Sequence, residues 1–169
     1  MDAVRLIAAG RHALAQSRAA LDIMVEAWQA QALAQAVGSW LAVTGPPELR
    51  AEARGLGEAG GRGCGVLDRT AFAQEGRSGD CVPRAAQLTS VSDIRQALLG
   101  LGALLGEVGI ALVGVACATD EEGLYWQCIE AMDAADESSD RVRAILRRLA
   151  VRERGGAPGA ARDSTAGAT

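Results

Sequence analysis

The sequence predicts an all-α fold, a four-helix bundle of mainly antiparallel helices with a long loop between the second and third helices. Apolar residues recur at a period near 3.6 rather than 2, the mark of helices with one buried face. Alanine is abundant and β-branched residues are sparse, which suits helix over strand. Only 3% of the chain is aromatic, so the core of a 49% hydrophobic sequence must come from Leu, Val, Ile and Ala. A chain of 169 residues can bury such a core without disulfide or metal staples. One domain is expected over residues 1–153, followed by a disordered tail over 154–169 that carries no large apolar side chain.

Residues 2–43 read as one long helix. Leu6, Ile7, Leu14, Leu21, Met24, Val25, Trp28, Ala32 and Trp40 share a broad face, and Arg5, His12, Gln16 and Glu26 take the other side. Leu33 and Val37 stray from that face, which hints at a second contact there. Thr44-Gly45-Pro46-Pro47 ends the helix, and the prolines with Glu48 suit the start of the next. Helix two is expected from Glu48 to about Gly60. Six glycines from Gly55 to Gly65 then either thin it out or let it pack very closely on a neighbour. From Val66 to Thr89 the periodicity fades into a loop, with one short turn around Ala71 to Gln74. Ser90-Val-Ser-Asp93 caps helix three, which runs to Ala118, and Thr119-Asp-Glu-Glu122 caps helix four. Helix four carries Tyr125, Ile129, Met132, Val142, Leu146 and Leu149 at helical spacing, with a kink or break expected at Glu137-Ser-Ser-Asp140.

The most apolar stretch, Ala97 to Ala118, has one charge, Glu107, in 22 residues and poses a choice. It is long enough to cross a bilayer, with Gly102 and Gly106 as a close-packing face, or to be the buried middle helix of a soluble bundle. Glu107 at mid-segment would cost about 2.5 to 3.5 kcal/mol on insertion, and no aromatic or basic belt flanks the stretch. These features favour the bundle. Glu107 then sits at the rim, pairs with an arginine, or is buried as a functional acid.

Catalytic chemistry finds little support. The one histidine, His12, lies on the polar face of the first helix and no Glu-x-x-His occurs, so neither a carboxylate-bridged metal centre nor a catalytic residue is indicated. Gly55-Leu-Gly57-Glu-Ala-Gly60 matches the dinucleotide fingerprint by letter, yet a helix former precedes it where a strand is required, and no cofactor is expected. Asp133, Asp136, Glu137 and Asp140 form a carboxylate stripe that reads as a solvated face. All 17 basic residues are arginine, and six of them, from Arg141 to Arg154, follow the acids of helix four in the order that complements its dipole. A net charge of −4 and the absence of aromatics among these arginines argue against nucleic acid. Cys64, Cys81, Cys117 and Cys128 contain no Cys-x-x-Cys pair, and no secretory signal opens the chain, so reduced thiols and a cytoplasmic location are expected.

In VEAWQAQALAQAVGS, PPELRAEARGL and GEVGIALVGVACATDEEGLYWQCIEAMDAADES the chain resembles a family of small helical actinobacterial proteins defined as a domain of unknown function. The resemblance covers about residues 1–153 and implies no activity, cofactor or site residue. The expected function is a non-enzymatic interaction or regulatory module with a protein partner or a second copy of the chain. The alternatives are a single-span or peripheral membrane protein using 97–118, and a ligand binder or enzyme with a pocket near Glu107, Tyr125 and Trp126.

Overall fold

The computed structural model describes residues 1–67 and 82–156. Among these lie five α-helices and no strand: α1 (Ala3–Gln16), α2 (Ala20–Thr44), α3 (Arg50–Val66), α4 (Ile94–Ala118) and α5 (Glu122–Gly155). Short 3-10 turns occupy Pro47–Leu49 and Arg84–Gln87. The turn expected around Ala71 to Gln74 lies outside the described residues, as does the expected tail beyond 156; α5 itself continues to Gly155.

The expected single helix over 2–43 is two helices. The chain leaves the helical conformation at Ser17 without a proline or glycine to force it. The Ser17 hydroxyl donates to the Ala13 carbonyl at 3.0 Å, giving the backbone a local alternative to another helical turn. The break sends the two halves to different work. α1 lies along α4, with Gly10 against Leu104 and Ile7 against Gly100, whereas α2 enters the middle of the protein.

α2, rather than α4, is the buried middle helix. Every residue from Glu26 to Ala34 is buried, and α2 touches α1, α3, α4, α5 and the 84–87 turn. This explains why Leu33 and Val37, both fully buried, strayed from any single apolar face. α3 continues past Gly60 to Val66, and its glycines serve close approach. A Cβ on Gly38 of α2 would stand 2.8 Å from the Ala53 carbonyl oxygen, and one on Gly60 would stand 2.5 Å from the Gln35 nitrogen. Backbones this near leave room for hydrogen only.

α4 and α5 follow a short connection at Thr119, with Asp93 capping α4 through the Gln96 amide at 2.8 Å. No break occurs at 137–140. α5 runs unbroken, Ser138 and Ser139 face inward, and the Ser138 hydroxyl donates to Gln31 Oε1 at 2.8 Å. A serine pair that reads as an interruption of the apolar stripe is a polar contact inside the core.

The N-terminal turn of α1 is tied to the 89–92 segment. Ala3 N–H donates to the Ser90 carbonyl at 2.9 Å, and Asp2 accepts from the Val4 and Ser92 amides and from the Ser90 and Ser92 hydroxyls. These donors, the Ser92 amide foremost, hold the Asp2 carboxyl at about 2, below its ordinary 3.8.

Gly38→Ala or Gly60→Ala destabilises by about 2 kcal/mol or more despite the better helix propensity of alanine, whereas Gly109→Ala, with nothing near its added Cβ, stabilises by about 0.5 to 1 kcal/mol; denaturant midpoints check both. Because the folded-state pKa of Asp2 is depressed, its clamp contributes stability above the unfolded value and loses it as pH falls toward the folded one. Asp2→Asn therefore flattens that part of the acid-unfolding profile, measured over roughly pH 5 to 2.

Candidate interaction surface

The inward face of α4 is conventional: Leu98, Leu101, Leu104, Leu105 and Leu112 are all but fully buried. The outward face is not. Leu99, Ala103, Gly106, Ile110, Val113 and Cys117 all lie exposed on it, with Ile110 at 76%. At 100° per residue these six fall within about 40° of one direction, with no charge among them. The stretch read as a core helix is thus apolar on two sides and covered on one. An uncharged apolar strip of this length on a surface is a candidate docking site.

Glu107 stands beside this strip, at the edge facing α1. Its carboxylate accepts from Arg11 Nε at 3.0 and 3.1 Å and from Arg11 Nη2, and its side chain is 39% exposed. Tyr125 and Trp126 sit in the first turn of α5, exposed, in an edge-to-face pair with centroids 5.4 Å apart. Arg95 pairs with Glu153 and Gly102 faces Val142, which sets the register of α4 against α5. That register puts the two rings level with the Thr119 connection at the end of α4, on the order of 20 Å along the helix axis from Glu107. The partner that the structure gives Glu107 is Arg11, and Tyr125 and Trp126 pair with each other.

The polar cluster that sequence reasoning missed is inside. Glu26, expected on a solvated face, is buried and takes a two-pronged bond from Arg84 at 2.5 and 2.7 Å, while the Arg84 amide donates to Gln29 at 2.8 Å. Arg84 lies 58 residues from Glu26 and 55 from Gln29, so no local pattern announces the cluster. Each buried side-chain polar atom among the described residues has a partner, and the cluster reads as a lock between α2 and the 84–87 turn.

The remaining groups are engaged or quiet. No group of three or more metal-ligating side chains occurs among the described residues. Arg62 pairs with Glu137 and Arg143 with Asp140, so two of the four carboxylates of the stripe are held by arginines. An open groove near the end of α5 is lined by Glu48, Glu52, Arg147, Arg148 and Arg152, and its charges oppose one another, with Arg148 3.6 Å from Glu52. Burial pushes the Cys64 thiol up to about 11 and raises that of Cys128, so neither is a ready nucleophile.

The two ion pairs predict different costs. Glu26→Ala removes a two-pronged bond from a mostly buried site and destabilises by about 3 kcal/mol. Glu107→Gln removes a half-exposed pair and costs about 1 kcal/mol or less. Urea unfolding of both variants checks the contrast.

Comparison with curated proteins and with solved structures gives no match. A family model described as "Family of unknown function (DUF6099)" matches residues 1–148, which takes in all of α1 to α4 and most of α5. The chain belongs to the DUF6099 family.

Proposed function

We propose that this protein is a non-enzymatic interaction module that binds a protein partner through the outward face of α4. The observation that carries the reading is the continuous exposed apolar strip from Leu99 to Cys117. In this reading α2 to α5 act as an antiparallel four-helix scaffold with α1 as an added fifth helix. Supporting the scaffold, Gly38 meets Ala53 and Gly57 while Gly60 meets Gln35, and Gly102 meets Val142 while Arg95 meets Glu153. The reading places the protein in the cytoplasm, where the free thiols of Cys64, Cys117 and Cys128 would stay reduced.

A second reading is peripheral membrane attachment. α4 has 25 residues and an 18-residue window of mean hydropathy 2.1, enough to cross a membrane by length and composition. Crossing would strip its buried leucines from α2 and α5, so in this reading the outward face lies against the bilayer rather than through it.

High-speed centrifugation and size-exclusion chromatography of lysate from cells making the untagged chain separate these readings. The interaction reading expects the native chain in the supernatant within an assembly heavier than one chain, and Ile110→Glu shifted to the mass of one chain. A native chain that already migrates alone contradicts it. A chain released from the pellet by detergent alone favours the membrane.

A further inference from the structure

Resting on that reading of the α4 face, we infer that its occupant is a second copy of this chain, docked antiparallel so that the two α4 helices cross a two-fold axis level with Val108. The spacing of the strip comes first. Residues 99, 103, 106, 110, 113 and 117 are separated by 4, 3, 4, 3 and 4 positions, the alternation that keeps one narrow seam facing another helix over several turns. A bilayer asks for a broad face without such a period.

Side-chain size then fixes direction. With the helices antiparallel about position 108, Ile110 meets the partner's Gly106, Val113 meets the partner's Ala103 and Leu99 meets the partner's Cys117. Every layer sets a large side chain against a smaller one, as knobs into holes require. The socket is open, since a Cβ on Gly106 would meet nothing within 4 Å. A parallel pair instead stacks Ile110 on Ile110 and leaves a void between two glycines.

Charge agrees with size. Arg95 stands at the N-terminal end of the strip, its side chain 44% exposed beside Glu153, and the exposed Asp120 and Glu121 stand just past the other end. Antiparallel docking brings Arg95 of each copy to the acids of the other, and parallel docking sets like against like. The helix dipoles also oppose in the antiparallel pair.

Sedimentation equilibrium of the purified full chain tests the pairing, and a short bis-maleimide cross-linker tests its direction. The native chain is expected at twice the mass of one chain. Ile110→Glu, at a site exposed in the single chain, is expected to weaken self-association by at least about 100-fold with unchanged helical circular dichroism. Gly106→Leu, which fills the socket, is expected to do the same. In a Cys81→Ser background, Leu99→Cys is expected to cross-link position 99 to the partner's Cys117, read by peptide mass spectrometry. A native chain of single-chain mass at every concentration overturns the inference, as does a dimer that survives Ile110→Glu or a dominant Cys117-to-Cys117 link. Binding of a monomeric native chain to anionic phospholipid vesicles overturns it in favour of lipid. If the purified chain is single yet Ile110→Glu still releases it from a larger assembly in lysate, the second copy is wrong and the interaction reading survives.

Discussion

A helix buried along an unbroken run from Glu26 to Ala34 has no side left for water, and that condition on α2 governs the rest of the molecule. It must be walled on every side, which is why α1, α3, α4 and α5 all touch it. It must also satisfy its own polar groups internally, because a buried unpaired amide or carboxylate would cost about 1 to 3 kcal/mol or more. Arg84 answers Glu26 and Gln29, and Ser138 answers Gln31. The glycines of α3 let one wall close to backbone contact, so a 17-residue neighbour with few large side chains can still seal the helix.

With α2 in the middle, α4 is left at the perimeter with more apolar surface than the core can use. Its leucines at 98, 101, 104, 105 and 112 are spent inward, and Leu99, Ile110 and Val113 remain in water. A solubility argument alone would place charge there. The composition of α4 thus gives it two apolar faces, of which the chain covers one, with the Arg11–Glu107 pair at the border between them.

Local signals were legible in the sequence and non-local ones were not. The cap at Asp93, the stop at Gly45-Pro46-Pro47 and the close-packing option for the α3 glycines depend on neighbours within a few residues, whereas the cap expected at Thr119 is not formed: the N-cap position of α5 falls at Glu121, without a side-chain cap. For Glu107 the apolar setting left a rim position, an arginine pair and a buried acid open, and the structure pairs it, part-exposed, with Arg11. The break at Ser17 leaves no composition signal, because tertiary contact of α1 with α4 outweighs good local helix propensity. Hydropathy ranked 97–118 as the centre since it cannot tell a leucine facing water from one facing the core. It ranked α2 lower because Glu26, Gln29 and Gln31 count as polar until their distant partners are known, and the inward Ser138 and Ser139 misled in the same way.

The outward face of α4 being covered in solution is the claim on which the functional reading stands, and hydroxyl-radical footprinting with mass spectrometry reads it side chain by side chain. Val43 and Val151, exposed on other helices, supply the reference for full reactivity. The prediction is that Leu99, Ile110 and Val113 become protected as the concentration of the native chain rises, while Val43 and Val151 react throughout. Equal reactivity of all five at every concentration, and in lysate, would mean that the strip is bare surface, contradicting both the interaction module and its self-pairing.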